Sequence, residues 1–126
     1  MRPKTVAIVG ASGDRSKYGN KAVRAHVAQG WTVYPVHPRG GEIEGLRAYT
    51  SLRETPRPLT RVSMYVPPGV GIGILEDVVA AAPDEFFLNP GAESDELVER
   101  ARALGLDPIL ACSIVDVGRR PSEFGP

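Results

Sequence analysis

The chain contains a single cysteine, Cys112, among 126 residues. An internal disulfide is therefore excluded, and so is a cysteine-rich zinc site. An excess of one charge sign is also missing. Fifteen basic residues balance fifteen acidic ones, interspersed without like-charge runs, so no global field recruits nucleic acid or an anionic membrane. No apolar run approaches the ~18 residues that span a bilayer, and no secretory hydrophobic region precedes Val6. The expectation is a cytoplasmic protein with neither nucleic-acid nor membrane partners. Side-chain amides are scarce as well, two Asn and one Gln, while Arg outnumbers Lys twelve to three. That bias fits a thermophile, and it equally fits a GC-rich genome. No Ser-His-Asp constellation, paired-carboxylate site or metal-ligand spacing is evident, so no catalytic residue and no metal are assigned.

What is present is organised around residues 6–19, VAIVGASGDRSKYG. The apolar run Val6-Ala7-Ile8-Val9 reads as a buried parallel strand. It leads to a loop of glycine and small residues, Gly10-Ala11-Ser12-Gly13, then to a polar segment and a helical pattern. At such a junction the free backbone N–H groups and the helix dipole favour a phosphate. Glycine matters there because a bulky Cβ would hold the backbone away from the anion.

The length suits one domain covering residues 1–126. Gly19, Ala22, Val23, His26, Val27 and Gly30 recur at helical spacing, with Gly30 placed to end the helix. Trp31–Val36 has strand composition, and Pro35, which cannot donate to a ladder, should sit near the strand's end or where pairing is one-sided. The unit from Val6 to Val36 has the usual βαβ length of about 30 residues. After a turn at His37–Gly41, residues 42–49 allow a short extended piece. Ser51–Glu54 has capping-box spacing for one helical turn. A third strand is expected at Arg61–Val66, followed by a helix face of Gly71, Ile74, Leu75, Val78, Val79 and Ala82. A fourth strand is expected at Glu85–Leu88. Ser94 then reads as the N-cap of a helix with Asp95 and Glu96 in its first turn, Leu97, Val98, Ala101 and Leu104 on its apolar face, and Gly105 at its end. A fifth strand is expected from Pro108 to Ala111 or a little beyond, before a tail rich in Gly, Pro and Arg. This alternation predicts an α/β fold, a Rossmann-like doubly wound parallel sheet of about five strands with helices on both faces.

In such a sheet, ligands lie beyond the carboxyl ends of the strands, where strand order reverses. Three loops should meet there: Gly10–Gly19, His37–Gly41 and Pro67–Gly69, with Asn89-Pro90-Gly91 as a far wall. The candidate ligand set from the first loop is Gly10, Ala11, Ser12, Gly13, Arg15, Ser16, Lys17, Tyr18 and Gly19. The dinucleotide fingerprint G-x-G-x-x-G is not met, since the six residues from Gly10 read GASGDR. The acidic residue that would grip an NAD ribose is absent too, the chain reading Val36-His37-Pro38-Arg39. A guanidinium at Arg39 suits a phosphate on the ribose instead, which leaves NADP or coenzyme A. Lys17 and Arg15 add charge beside the pyrophosphate.

The succession VAIVGAS, SKYGN, VYPVHPR, YVPPG and NPGAES resembles the stand-alone CoA-binding domain family. That family is similar to the N-terminal CoA-binding domain of the succinyl-CoA ligase α subunit. The resemblance runs from about Thr5 to Val115 and rests on the order and spacing of these segments. It implies that Gly10, Ser12, Lys17 and Gly19 line the diphosphate and pantetheine entry. It further implies that Pro38 and Arg39 meet the adenosine phosphate end, and that Val66, Pro67 and Pro68 border the adenine or pantetheine. Two departures stand out. Many members have Asn-Pro where this chain has His37-Pro38, and many end in Asp-Arg-Cys where it has Ala111-Cys112-Ser113. Any chemistry of that motif's cysteine is therefore not carried over. The ligase phosphohistidine belongs to a second domain, so ligase activity is not expected from these residues.

The leading expectation is a small CoA or acyl-CoA binding module; the sequence leaves the oligomeric state open, a homodimer being one candidate assembly. The alternatives are a small NADP-dependent oxidoreductase and an interaction domain that has kept the fold without the ligand. His37 is read as a turn cap, His26 as a core histidine, and Cys112 as a buried inert thiol.

Overall fold

Four consecutive apolar residues after Thr5 cannot leave either face of a strand in water, and they place the first strand at the centre of the sheet. The structure is a computed structural model that describes residues 3–126. In chain order its elements are β1 (Thr5–Val9), α1 (Tyr18–Ala28), β2 (Thr32–Val36), β3 (Glu42–Ile43), β4 (Leu46–Arg47) and β5 (Arg61–Met64). There follow α2 (Pro68–Gly71), α3 (Leu75–Ala81), β6 (Glu85–Leu88), α4 (Asp95–Ala103), β7 (Pro108–Leu110) and α5 (Ser113–Asp116). Five strands form one parallel sheet in the order β2-β1-β5-β6-β7, while β3 and β4 pair as a separate antiparallel hairpin.

Register explains which residues face which helices. Val6 lies opposite Val33 on one side and Arg61 on the other. One sheet face, through Ala7, Val9, Val62, Met64 and Leu88, packs on Leu75, Val78, Leu97 and Ala101 of α3 and α4. The opposite face, through Val6 and Ile8, packs on Ala22, Val23 and Ile114 of α1 and α5. Helices thus cover both faces, as expected. Burying each such leucine or valine side chain contributes roughly 1.5–3 kcal/mol.

Pro35 sits in an edge strand, where its missing N–H costs least. Ser94 caps α4 by accepting a hydrogen bond from the Leu97 amide at 3.1 Å, and Gly30 and Gly105 leave their helices with positive φ.

The structure differs from the sequence reading in several places: the third strand ends at Met64 rather than Val66, and Cys112 is half-buried rather than buried. Val27 is exposed at the rim of α1, and Ala25 takes the inward position. The helix after β5 begins earlier, at Pro68, and breaks into α2, a 3-10 turn at Ile72–Ile74 and α3. Its buried positions then recur every three residues, at Leu75, Val78 and Ala81, which leaves Val79 outside. The residues after β2 form a hairpin with a two-residue Glu44-Gly45 turn rather than a single extended piece. The Gly/Pro/Arg-rich tail is ordered: it carries α5 and buries Phe124 beside α1.

Candidate functional site

From β1 the chain runs outward to β2, then crosses back to place β5 on the other side of β1. The loops leaving β1 and β5 therefore part at their carboxyl ends and leave a crevice. A cleft of about 670 Å³ occupies it. Its walls come from four strand ends: Gly10, Ala11, Ser12, Ser16, Lys17, Tyr18 and Gly19 after β1, His37 and Pro38 after β2, Tyr65, Val66 and Pro67 after β5, and Pro90, Gly91 and Ala92 after β6.

Two glycines hold this crevice together through contacts within the protein. A Cβ on Gly10 would lie 2.9 Å from Val66 Cγ1 and 3.0 Å from the Tyr65 carbonyl carbon, and Gly10 itself has φ +91°. A Cβ on Gly19 would overlap the carbonyl oxygen of Gly10. The start of α1 is thereby drawn against the end of β1. Gly13 is different, because a Cβ there meets no protein atom within 4 Å.

The start of α1 breaks the usual rules for a helix N-terminus. Lys17 occupies the N-cap and makes no side-chain cap, and the first turn contains no acidic residue. The first amides of a helix have no intrahelical acceptor, and here they open beside the one fully charged side chain of the cleft lining, Lys17. The preceding loop is braced by its own polar groups. Ser12 Oγ accepts from the Asp14 amide at 3.0 Å. The Asp14 carboxylate accepts from the Ser16 hydroxyl at 2.6 Å and the Ser16 amide at 3.0 Å. The hydroxyl bond, followed by the amide bond, holds the Asp14 carboxyl below its ordinary value.

Of the other expected ligand residues, Arg15 pairs with Glu44 at 3.3 Å and lies outside the cleft lining. Arg39 is exposed one residue beyond Pro38, and its amide donates to His37 Nδ1 at 3.1 Å. His37 is the turn cap its position suggested. Pro68 opens α2 at the helix start, beside the cleft residue Pro67.

Sequence reasoning overlooked Tyr65 and the role of Asn89. Asn89 is fully buried, and a buried amide must find partners for both its ends. Its Nδ2 donates to Ser63 Oγ and to the Met64 carbonyl, each at 2.8 Å, and its Oδ1 accepts from the Ser113 amide at 2.8 Å. Tyr65 completes the network through a 3.1 Å hydroxyl contact with Ser113 Oγ. Burial, the largest cause, drives its phenol pKa well above the ordinary value. The far wall of the cleft is thus pinned to β5 and α5. The available signal was an asparagine directly after an apolar strand and before Pro-Gly.

The opposite end of the sheet has a smaller cleft of about 390 Å³, lined in part by Trp31, Arg61, Glu85 and Asp116. The polar groups there satisfy one another. Buried Arg61 lies against the rings of Trp31 and Phe87, 4.6 and 4.3 Å from their centroids, and bonds Glu85 and Asp116. It also lies 3.3 Å from His26 Nε2. The other ring nitrogen of His26 is 2.8 Å from the Ala22 carbonyl, which assigns the neutral Nδ1–H tautomer. Burial pulls the His26 pKa down to about 4.

The carboxyl-end cleft offers backbone amides, one ammonium, several hydroxyls and apolar walls at Val66, Pro67 and Pro90. That chemistry suits an anionic group joined to a less polar arm. Among the described residues no cluster of His, Cys, Asp and Glu could hold a metal ion, and no helix is long and apolar enough to cross a membrane.

Comparison with known proteins identifies the family and its relatives. A family model described as a CoA binding domain matches residues 4–118. The α subunit of ADP-forming acetate–CoA ligase II from Pyrococcus furiosus is 36% identical over 68 residues, covering 53% of this chain and 15% of the relative. The α subunit of ADP-forming acetate–CoA ligase I from the same organism is 28% identical, covering 100% of this chain and 31% of the relative. The chain thus spans less than a third of the length of either curated relative. A conserved hypothetical protein of Pyrococcus furiosus has a similar structure, with a TM-score of 0.79 and 33% identity, covering 91% of this chain and 99% of that one.

Proposed function

The chain belongs to the CoA-binding domain family, and from that premise we propose that it is a binding module for coenzyme A or an acyl-CoA, acting as a holder of the ligand rather than as a catalyst. The pyrophosphate sits at the start of α1, against the backbone of residues Gly10–Gly13 and the Lys17 ammonium. Ser12, Ser16, Tyr18 and Gly19 border the passage to the pantetheine arm. Pro38 flanks the adenosine end, and Arg39, on the exposed turn beyond it, meets the ribose 3′-phosphate. Val66 and Pro67 form the apolar side, with Pro68 behind them.

The observation that carries this reading is the uncapped start of α1. It is held open beside a lysine by a Gly10–Gly19 contact that admits no side chain. A helix end without a cap or a first-turn acid is unfavourable in the free protein and favourable once an anion arrives.

Thermal denaturation with CoA, acetyl-CoA, dephospho-CoA, NAD and NADP tests the proposal. CoA at 100 times its dissociation constant should stabilise the native state by about 2.7 kcal/mol. Dephospho-CoA should bind distinctly more weakly than CoA, and Arg39→Ala should remove that difference. Stabilisation by NADP without stabilisation by CoA would replace this reading with an oxidoreductase using the same loops. No shift with any nucleotide would leave an interaction domain.

A further inference from the structure

The β3–β4 hairpin stands outside the main sheet, and its tip breaks a local rule. Glu44 has φ +52°, in the first position of a two-residue turn that glycine, asparagine and aspartate normally occupy. Its carboxylate explains the choice. Glu44 Oε2 accepts from Asn20 Nδ2 at 3.1 Å and lies 3.3 Å from Arg15 Nε.

Asn20 is fully buried and uses both ends of its amide. Nδ2 also donates to the Ser12 carbonyl at 2.8 Å, and Oδ1 accepts from Arg24 Nε at 2.8 Å. Arg24 Nη2 returns to the loop by donating to the Arg15 carbonyl at 2.8 Å. The contacts close a ring that runs Glu44, Asn20, Arg24, Arg15 and back to Glu44. Two carbonyls of the loop before α1 are therefore tied to side chains outside the loop. Across a trans peptide, N–H points opposite to C=O, so the bond from Asn20 to the Ser12 carbonyl turns the Gly13 amide away from Asn20. Beyond the tip the hairpin is anchored to the second ligand loop, where the His37 amide donates to the Tyr49 carbonyl at 2.9 Å and Tyr49 donates to Pro35 at 2.8 Å.

We infer that Glu44 is a positioning residue for the ligand loop: through Asn20 and Arg15 it presets residues 12–17 for the anion, and the hairpin exists to deliver it. The inference rests on the CoA reading only for the identity of the ligand. Preorganisation of a loop strengthens binding because less order is lost when the ligand arrives.

Glu44→Gly separates this role from a purely structural one. Gly-Gly is a favoured two-residue hairpin turn, so the variant relieves the left-handed residue while removing the carboxylate. The expected result is a melting temperature equal to or above that of the parent, about tenfold weaker CoA binding by calorimetry, and faster amide exchange across residues 12–17 in the free protein. Unchanged affinity together with unchanged loop exchange would overturn the inference. If the parent chain binds no CoA, the proposed function fails, and loop exchange alone decides the matter: faster exchange in E44G upholds the role of Glu44, and equal exchange ends it. Should E44G unfold, E44N, which also tolerates left-handed backbone and is too short to span to Asn20, repeats the same measurements.

Discussion

Helices α1 and α4 both begin just past the carboxyl end of a sheet strand, and their first turns are built on opposite plans. α4 has Ser94 bonded to the Leu97 amide, with Asp95 and Glu96 in its first turn. α1 has Lys17 at the same position with no cap and no acid. The Leu97 amide of α4 is satisfied by its own N-cap side chain, whereas at α1 the Asn20 backbone amide turns back to the Lys17 carbonyl and no side chain caps the first turn. Under the proposed function, the local rule that α4 follows and α1 breaks is given up at the ligand site. The contrast extends to packing, because Gly19 of α1 lies against the Gly10 carbonyl at the end of β1.

The sharpest way to break this comparison is Gly19→Ala. The new methyl would meet the Gly10 carbonyl, a backbone atom with little room to move, so the variant should lose about 3 kcal/mol of stability or more together with CoA binding. Urea denaturation and calorimetry would measure both, and a parent-like unfolding midpoint would remove the close contact from the argument.

Next in size is an effect at the far end of α1, where His26 is buried neutral. Its folded pKa of about 4 lies below its ordinary 6.5. The unfolded chain thus takes up a proton that the native state refuses, and stability falls as pH drops from 6.5 towards 4, then levels off. The full effect is on the order of 3 kcal/mol. Equilibrium unfolding across that window should show the slope, and His26→Gln should flatten it. A slope unchanged in His26→Gln would assign the pH dependence elsewhere.

Ser94→Ala probes the conventional helix. It should cost about 1 kcal/mol and leave CoA affinity unaltered, so a large affinity loss would dissolve the distinction between the two helices. Lys17→Asp makes α1 resemble α4. It should raise the stability of the free protein by about 0.5–1 kcal/mol through capping and the helix dipole, while weakening CoA binding about tenfold through repulsion. Tighter binding by Lys17→Asp would contradict an anion at this helix.

Elements with a strong local pattern were readable before folding. Val6–Val9, Glu85–Leu88 and the Ser94 cap stand where their residues predict, because apolar runs and a serine before Asp-Glu act over a few residues. The hairpin tip was not readable, since glutamate is no signal for left-handed backbone and its reason, Asn20, lies 24 positions away. α5 escaped notice on similar grounds. It has only four residues, and the bond that holds its first amide comes from Asn89. The loops after β1, β2 and β5 were expected at one crevice. Whether Arg15 would face that crevice depended on a carboxylate arriving from another segment.

Taken alone, the order of residues determined the alternation of strand and helix, the central place of Val6–Val9 and the glycine loop that follows it. Those features come from burial and backbone sterics acting along the chain. Folding in three dimensions decided that Gly19 must lack a side chain, that Asn89 must be an amide, and that Glu44 must reach Asn20. Each of these is a demand made by an atom from a distant segment, and such a demand exists only once the segments are packed together.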